Sequence, residues 1–164
     1  MIVAVVVGNP KPRSRTYRAA HIVAERLAGR PADLSIDLTD LGPALLDWSD
    51  PGVADVVAAV QGADLVVVAS PTYKATYTGL LKLFLDRFGA GSMTGTAVPV
   101  MLGGHWKHAL APELLLKPVL VEIGATCPTV GLFLLDSEFE TSDVLESWLE
   151  RARPQVAAST KGLA

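Results

Sequence analysis

Two stretches of this chain, residues 2–7 and 65–69, are apolar at every position and consist mostly of valine. Such unbroken runs are typical of parallel β-strands that helices cover on both faces, because no position in the strand then has to meet water. Each run is followed by a segment with apolar residues at helical spacing, at residues 16–27 and 78–88. The pattern therefore predicts a parallel sheet with helices packed on both of its sides.

The same alternation continues along the chain. Strands are predicted at residues 2–7, 32–38, 64–70, 96–102 and 129–135, and helices at residues 16–27, 51–61, 78–88, 110–124 and 142–153. Pro99 predicts some irregularity in the fourth strand, and Pro118 predicts a kink or bulge in the fourth helix. We expect an α/β fold, a three-layer sandwich around a five-stranded parallel sheet with strand order 2-1-3-4-5.

Length and composition fit one domain. The chain has 164 residues, of which we assign 1–156 to the domain and 157–164 to a frayed tail. Half of the residues are apolar, and the third and fourth helices carry more apolar side chains than packing on the sheet requires. We therefore expect a homodimer or homotetramer, with Phe84 and Leu115 at the interface between subunits. The net charge of −3 and the lack of a basic arm do not indicate a nucleic-acid partner.

The sequence carries no recognisable targeting or membrane signal. It enters the first predicted strand directly, without a basic leader region, and no apolar run reaches the roughly 18 residues of a membrane-spanning helix. The single Cys127 cannot form an internal disulfide and belongs to no metal-binding pattern. We expect a cytoplasmic protein with no bound metal and no membrane contact.

The loop after the first strand, residues 9–16, combines basic and hydroxyl side chains. Ser14 is a candidate N-cap for the following helix, whose free N–H groups and positive dipole end favour an anion. Lys11, Arg13 and Arg15 add positive charge, so the loop is suited to a phosphate. The alternative is an ordinary turn between strand and helix whose cations face water.

The loop lacks two common phosphate-binding motifs. It has neither the G-x-x-x-x-G-K-[S/T] pattern of nucleotide-hydrolysing P-loops nor the G-x-G-x-x-G pattern of dinucleotide sites. Asp37 and Asp40 stand near the end of the second strand, where a ribose-binding acid would lie, but the accompanying glycines are missing. The best candidate ligand is a single terminal phosphate, as on a mononucleotide.

The loops after the third and fourth strands are the other candidate binding segments. Strand order 2-1-3-4-5 places the loop after the third strand beside residues 9–16, the candidate phosphate loop, at the switch point of the sheet. There Pro71 fixes the backbone, and Thr72 and Tyr73 offer N–H donors to a flat heteroaromatic group. The alternative is a plain turn before a surface helix. After the fourth strand, Gly103 and Gly104 permit close approach of the backbone to a ligand.

These loops resemble those of the NADPH-dependent FMN reductases of the flavodoxin-like superfamily, including the reductases that supply reduced flavin to sulfonate monooxygenases. The resemblance covers residues 2 to about 135 and depends on the order and spacing of several motifs. They are Gly8-Asn9-Pro10 through Ser14-Arg15-Thr16, Ser-Pro-Thr-Tyr-Lys-Ala-Thr-Tyr-Thr-Gly-Leu-Leu-Lys at 70–82, Gly103-Gly104, His108-Ala109-Leu110-Ala111 and Leu116-Lys117-Pro118-Val119-Leu120.

The resemblance implies an NAD(P)H-dependent FMN reductase with FMN and NADPH or NADH as its cofactors. Hydride would pass between the two cofactors, so no catalytic side chain is expected. The first loop would hold the FMN phosphate, residues 71–74 would lie beside the flavin ring, and residues 103–105 would lie at its edge. The residues assigned to cofactor binding are Asn9, Lys11, Arg13, Ser14, Arg15, Thr16, Pro71, Thr72, Tyr73, Lys74, Gly103, Gly104 and His105.

One departure from the family pattern leaves the fate of the flavin open. Some sulfonate-linked relatives carry a tyrosine in a bulge of the fourth helix, associated with treating flavin as a substrate, whereas this chain has Leu114 there. The chain either releases reduced FMN, for example to a monooxygenase, or keeps FMN and reduces quinones, azo dyes or metal ions. A flavodoxin-type electron carrier is a further alternative, which Arg13, Arg15 and the modest net charge disfavour.

Overall fold

The computed structural model describes residues 1–163. Its five strands form one parallel sheet in the order β2-β1-β3-β4-β5, which confirms the predicted α/β topology. The strands are β1 (Val3–Val7), β2 (Leu34–Asp37), β3 (Leu65–Pro71), β4 (Thr96–Gly103) and β5 (Leu132–Leu135).

Helices cover both faces of the sheet. The α-helices are α1 (Arg15–Ala28), α2 (Pro51–Gln61), α3 (Gly79–Leu85), α4 (Lys117–Glu122) and α5 (Asp143–Ser159). Short 3₁₀ turns lie at Leu38–Asp40, Gly42–Leu46 and Trp106–His108, and a π-helix lies at Pro112–Leu116. Within residues 1–163 no helix combines the length and apolar character needed to cross a membrane.

Strand β1 shows why its sequence is apolar throughout. Val3, Val5 and Val7 pack in a core with α1 and α5, while Ala4 and Val6 pack in a second core with α2, α3 and α4. All five side chains are buried. Because successive side chains of a strand point to opposite faces, a strand covered on both sides has no position for a polar residue.

Strand β4 runs unbroken through Pro99, so the expected irregularity at this residue is wrong. Pro99 pairs in register with Val68 of β3. The N–H of Ala97 donates to the carbonyl of Thr126 on the β5 side of the strand. By the alternation of a parallel ladder, the nitrogen of Pro99 faces that same side, before β5 begins at Leu132. The missing N–H therefore removes no bond between strands.

The bulge expected near Pro118 is confirmed. The predicted fourth helix divides into the π-helix at Pro112–Leu116 and α4, and the N–H of Lys117 donates to the carbonyl of Pro112. Proline cannot donate to the carbonyl four residues before it, which is that of Leu114. The wider π spacing accommodates this lost bond within the first turn of α4.

The C-terminal segment is more ordered than expected. The predicted last helix ended at about Arg153, but α5 contains Pro154 and continues to Ser159, so the first three residues of the expected frayed tail are helical. Val156 is fully buried in the core beneath α1 and α5, and Leu163 packs against the same core. Burial of these apolar side chains offsets the helix bond that proline removes.

Gly131, just before β5, provides a test of the packing around the π-helix. A Cβ at this position would lie 2.6 Å from the nitrogen of Glu113 and 2.7 Å from the carbonyl carbon of Pro112. We expect Gly131→Ala to lower the free energy of unfolding by about 1–3 kcal/mol in urea denaturation, because the π-helix has to shift. The control is Gly79→Ala, where a Cβ meets no atom within 4 Å and stability should be equal or higher. Equal losses in the two variants would contradict this packing.

Candidate functional site

The loops after β1, β3 and β4 meet at the carboxyl edge of the sheet and form a polar pocket of about 360 Å³. This volume lies within the range of small-molecule sites, and its position is the switch point of the strand order. All predicted binding residues except Lys74 and His105 line the pocket. The lining residues are Asn9, Lys11, Arg13, Ser14, Arg15, Thr16, Arg18, Pro71, Thr72, Tyr73, Leu102, Gly103, Gly104 and Asp136.

Hydrogen bonds within the first loop hold its shape. The side-chain amide of Asn9 donates to Thr16 Oγ1 at 2.9 Å, and its Oδ1 accepts from the backbone N–H of Lys11 at 2.9 Å. Ser14 is the N-cap of α1, as expected, and its Oγ accepts from the N–H of Tyr17 at 3.3 Å. The loop is therefore arranged around the positive end of α1, where an anion is favoured.

The guanidinium of Arg13 is held by two carboxylates. It lies 3.1 Å from Asp37 Oδ2 and 2.9 Å from Asp40 Oδ2, and it stands over the ring of Tyr17. The hydrogen bond to Asp40 is the main factor that raises the pKa of Arg13 above its usual value. Arg13 therefore lines the pocket with its charge already paired to carboxylates.

Two further arginines pair with the segment that follows β5. Arg15 donates to the carbonyl of Asp136 at 3.1 Å, and its other terminal nitrogen lies 3.6 Å from Asp136 Oδ2. Arg18, one turn later on α1, pairs with Glu140. These contacts connect the first loop to the end of β5 across the pocket, and they place a carboxylate beside each cation.

The loop after β3 contains a strained turn. Tyr73 and Thr76 exchange backbone hydrogen bonds of 2.9 and 3.2 Å around Lys74 and Ala75. Both central residues have positive φ, 52° and 69°, which costs of order 1–3 kcal/mol for each non-glycine residue. The half-exposed Tyr73 lines the pocket, whereas Lys74 does not.

The floor of the pocket between β3 and β4 combines a polar atom with close backbone packing. Thr72 donates its N–H to the carbonyl of Leu102 at 2.6 Å, but its buried Oγ1 has no partner within residues 1–163. A Cβ at Gly103 would lie 2.9 Å from Phe133 Cζ and 3.1 Å from Thr72 Oγ1. Gly103 is therefore required for this fit. The N–H groups of Thr72 and Tyr73, which the sequence predicted as donors to a ligand, instead donate to the carbonyls of Leu102 and Thr76, so that prediction is wrong.

The first loop and the loop after β3 are connected to each other directly. Thr78, the N-cap of α3, donates from its hydroxyl to the carbonyl of Gly8 and accepts from the N–H of Leu81. Its own N–H donates to Ser70 Oγ at 3.0 Å. A Cβ at Gly8 would overlap the side chain of Leu81, so only glycine permits this close approach.

Three pocket residues were not predicted from the sequence: Arg18, Leu102 and Asp136. Asp136 directly follows the fifth strand, so its position at the carboxyl edge of the sheet was a usable signal. Arg18 lies four residues after Ser14 and therefore on the same face of α1. His105, by contrast, follows Gly104 but is exposed and lies outside the pocket.

Cys127 is the single cysteine of the chain and is partly buried. Burial raises the pKa of the Cys127 thiol to about 11, so the group is neutral at physiological pH. Residues 1–163 contain no group of three or more His, Cys, Asp or Glu side chains that could hold a metal ion.

The family model described as NADPH-dependent FMN reductase matches residues 1–140. The chain belongs to this FMN reductase family. Among curated relatives, the FMN reductase (NADPH) of Escherichia coli K12 is 32% identical over 143 residues, covering 84% of this chain and 75% of the relative. The NADH-dependent FMN reductase SfnF of Pseudomonas putida is 32% identical over 155 residues, covering 88% and 82%.

Solved structures agree with this assignment. The apo form of the NADH:FMN oxidoreductase EMOB superposes with a TM-score of 0.86 at 31% identity, over 98% of this chain and 90% of that one. An archaeal flavodoxin superposes with a TM-score of 0.61 at 14% identity, over 96% of this chain and 99% of that one. This second similarity shows the flavodoxin-like fold alone. The FMN reductase therefore has the flavodoxin-like fold that the sequence predicted.

Proposed function

We propose that this protein is an NAD(P)H-dependent FMN reductase that transfers a hydride from NADPH or NADH to FMN. The observation that carries the proposal is the pocket at the β1–β3 switch point, which joins an anion-binding loop to a wall suited to a flat ring. The names of the relatives support the reaction, since they specify FMN as the compound that is reduced.

The phosphate end of the pocket fits a flavin mononucleotide. Ser14 and Thr16 stand at the start of α1, where backbone N–H groups lack partners within the helix. Asn9 and Thr16 are already hydrogen-bonded to each other, which holds the loop around the anion position. Lys11 adds a positive charge at the rim. Together these groups would hold a terminal phosphate with charge-assisted hydrogen bonds.

The ring end of the pocket fits the flavin ring system. Pro71, Thr72 and Tyr73 line one wall of this end, and Gly103 on the next strand lets the backbone approach closely. Bound FMN supplies the chemistry, because its ring accepts the hydride. The side chains of the protein bind and orient the flavin and shield it from water, and none has to act as a nucleophile or general base.

We further propose that reduced FMN leaves the protein and serves a flavin-dependent monooxygenase. The relatives support this reading because they are named for reducing FMN itself. The alternative, in which FMN stays bound and passes electrons to quinones, azo dyes or metal ions, is favoured by Leu114, which occupies the π-helix position of the tyrosine in sulfonate-linked reductases. The flavin content of the purified protein distinguishes the two.

The activity is tested by following oxidation of NADPH and NADH at 340 nm. We expect oxidation to depend on added FMN and to saturate with it, and the purified protein to be colourless, because released flavin is a substrate. A yellow protein that oxidises the nicotinamide with a quinone and without added FMN would support the retained-flavin alternative. Failure to oxidise either nucleotide in the presence of FMN would contradict the proposal.

Ser14→Ala tests the phosphate position. We expect FMN affinity to fall by about tenfold in titration calorimetry, because one charge-assisted hydrogen bond to the phosphate is lost. Affinity for riboflavin, which has no phosphate, should stay the same. Asp50→Ala is the matched control, since Asp50 caps α2 through its side chain, as Ser14 caps α1, and does not line the pocket. Equal FMN binding by wild type and Ser14→Ala would place the phosphate elsewhere.

We also propose that the protein forms a homodimer or homotetramer through the face that carries α3, the π-helix and α4. Exposed apolar side chains are concentrated on this face, namely Leu83, Leu110, Leu114, Leu115 and Val121. Exposed apolar side chains in such number on one face are typical of subunit interfaces. Phe84, which the sequence had placed at the interface, is instead fully buried in the core, so the prediction for that residue is wrong.

Leu115→Glu tests this interface. We expect light scattering to show a dimer or tetramer for the wild type and a shift towards the monomer for the variant, because a charge would have to be buried between subunits. Val144→Glu is the control: Val144 is 40% exposed and Leu115 42%, but Val144 lies on α5, on the other side of the sheet. A wild type that remains a 17.3 kDa monomer at micromolar concentration would contradict the proposal.

A further inference from the structure

The carboxylate of Asp37 is buried at the carboxyl end of β2, with 1% of the residue exposed. A buried charge is tolerated only where it is paired and its oxygens accept hydrogen bonds. Both oxygens of Asp37 meet this requirement. Oδ1 accepts from the N–H of Thr39 at 3.2 Å and from its hydroxyl at 2.8 Å, while Oδ2 faces the phosphate loop.

Asp37 contacts both the backbone and the side chain of Arg13 in the phosphate loop. Asp37 Oδ2 accepts from the backbone N–H of Arg13 at 2.9 Å and lies 3.1 Å from its guanidinium. Arg13 directly precedes Ser14, the N-cap whose position defines the start of α1. Asp37 therefore fixes the backbone immediately before the proposed phosphate position, without lining the pocket itself.

The backbone of Arg13 explains why the loop needs this anchor. Its φ is 48°, in the left-handed region that residues with a Cβ rarely adopt. Such a conformation persists only where surrounding contacts hold it, and strained residues of this kind are concentrated at ligand sites. Here the hydrogen bond from the Arg13 N–H and the ion pair from its side chain both end on Asp37.

We propose that Asp37 is a positioning residue that sets the preference of this site for phosphorylated flavin over riboflavin. The proposal rests on the FMN function proposed above and assigns Arg13 to the loop anchor instead of the phosphate. The guanidinium of Arg13 is already committed to Asp37, Asp40 and the ring of Tyr17. The phosphate is then recognised by the loop that Asp37 holds, from Asn9 to Thr16.

Charge and geometry predict opposite effects for loss of the carboxylate. Removing a negative charge near a phosphate strengthens phosphate binding, because a Coulomb repulsion between the two groups is lost. Releasing the backbone of Arg13 weakens it, because the N–H groups after Ser14 no longer point to one anion position. The sign of the change therefore shows which role Asp37 has. Asp40 is a matched control, since it pairs with the same arginine but accepts no backbone hydrogen bond from the loop.

The experiment measures dissociation constants for FMN and riboflavin with the full chain, for wild type, Asp37→Ala and Asp40→Ala. For Asp37→Ala, which removes the acceptor of the Arg13 N–H, we expect the preference for FMN over riboflavin to fall about tenfold, as loss of well-placed hydrogen bonds to a phosphate would give. Riboflavin affinity and kcat at saturating FMN should change less than about twofold, since the ring wall is untouched. Asp40→Ala should keep or slightly raise the preference.

Other outcomes overturn the proposal. An unchanged or raised preference in Asp37→Ala, or an equal loss in both aspartate variants, would show that Asp37 does not position the loop. If Asp37→Ala fails to fold, Arg13→Pro removes the same N–H and the positive φ from an exposed residue, and it should give the same selective loss for FMN. A wild type without preference for FMN would overturn the phosphate site itself, and with it the proposed function.

Discussion

The close contact between Gly8 and the start of α3 determines how the ligand site is built. The carbonyl of Gly8 accepts from Thr78, its N–H donates to Ala69, and its missing Cβ leaves room for Leu81. β1 and β3 are neighbours in the sheet, so this contact fixes the two adjacent loops relative to each other. The proposed binding of a phosphate at one end of this pocket and a ring at the other requires such a fixed distance, because misplacement by about 1 Å is costly in catalysis.

The parts of the fold that could be predicted are those governed by local pattern. β1, β3 and β4 are apolar because both of their faces are covered, and such runs are visible in the sequence. The end of α5 was not predictable, because Pro154 is a local signal for termination while the burial of Val156 is a tertiary effect. Pro99 is a similar case. Its missing N–H would disrupt the sheet only if a strand were paired on that side of β4, and the local sequence does not show which side that is.

The candidate site could be predicted to the level of loops but not of side-chain partners. Topology brings the ends of β1, β3 and β4 together, so most of the predicted residues line one pocket. Lys74, by contrast, lies outside the pocket. It belongs to a turn with positive φ at two non-glycine residues, which the sequence does not indicate. The partners of Arg13 and Arg15 come from β2 and from the end of β5, and pairing between segments so distant in the chain has no local pattern.

Those ion pairs change how an anion would be recognised here. From the sequence, the basic residues of the first loop suggested a site that attracts phosphate by charge. In the structure, the guanidinium groups of Arg13, Arg15 and Arg18 each face a carboxylate, which offsets most of that attraction. At the proposed phosphate position, hydrogen bonds from a preformed loop would then carry more of the recognition, and they depend on exact geometry. Because exposed charges are screened by salt whereas partly buried hydrogen bonds are screened much less, such a site discriminates by shape and not by charge alone.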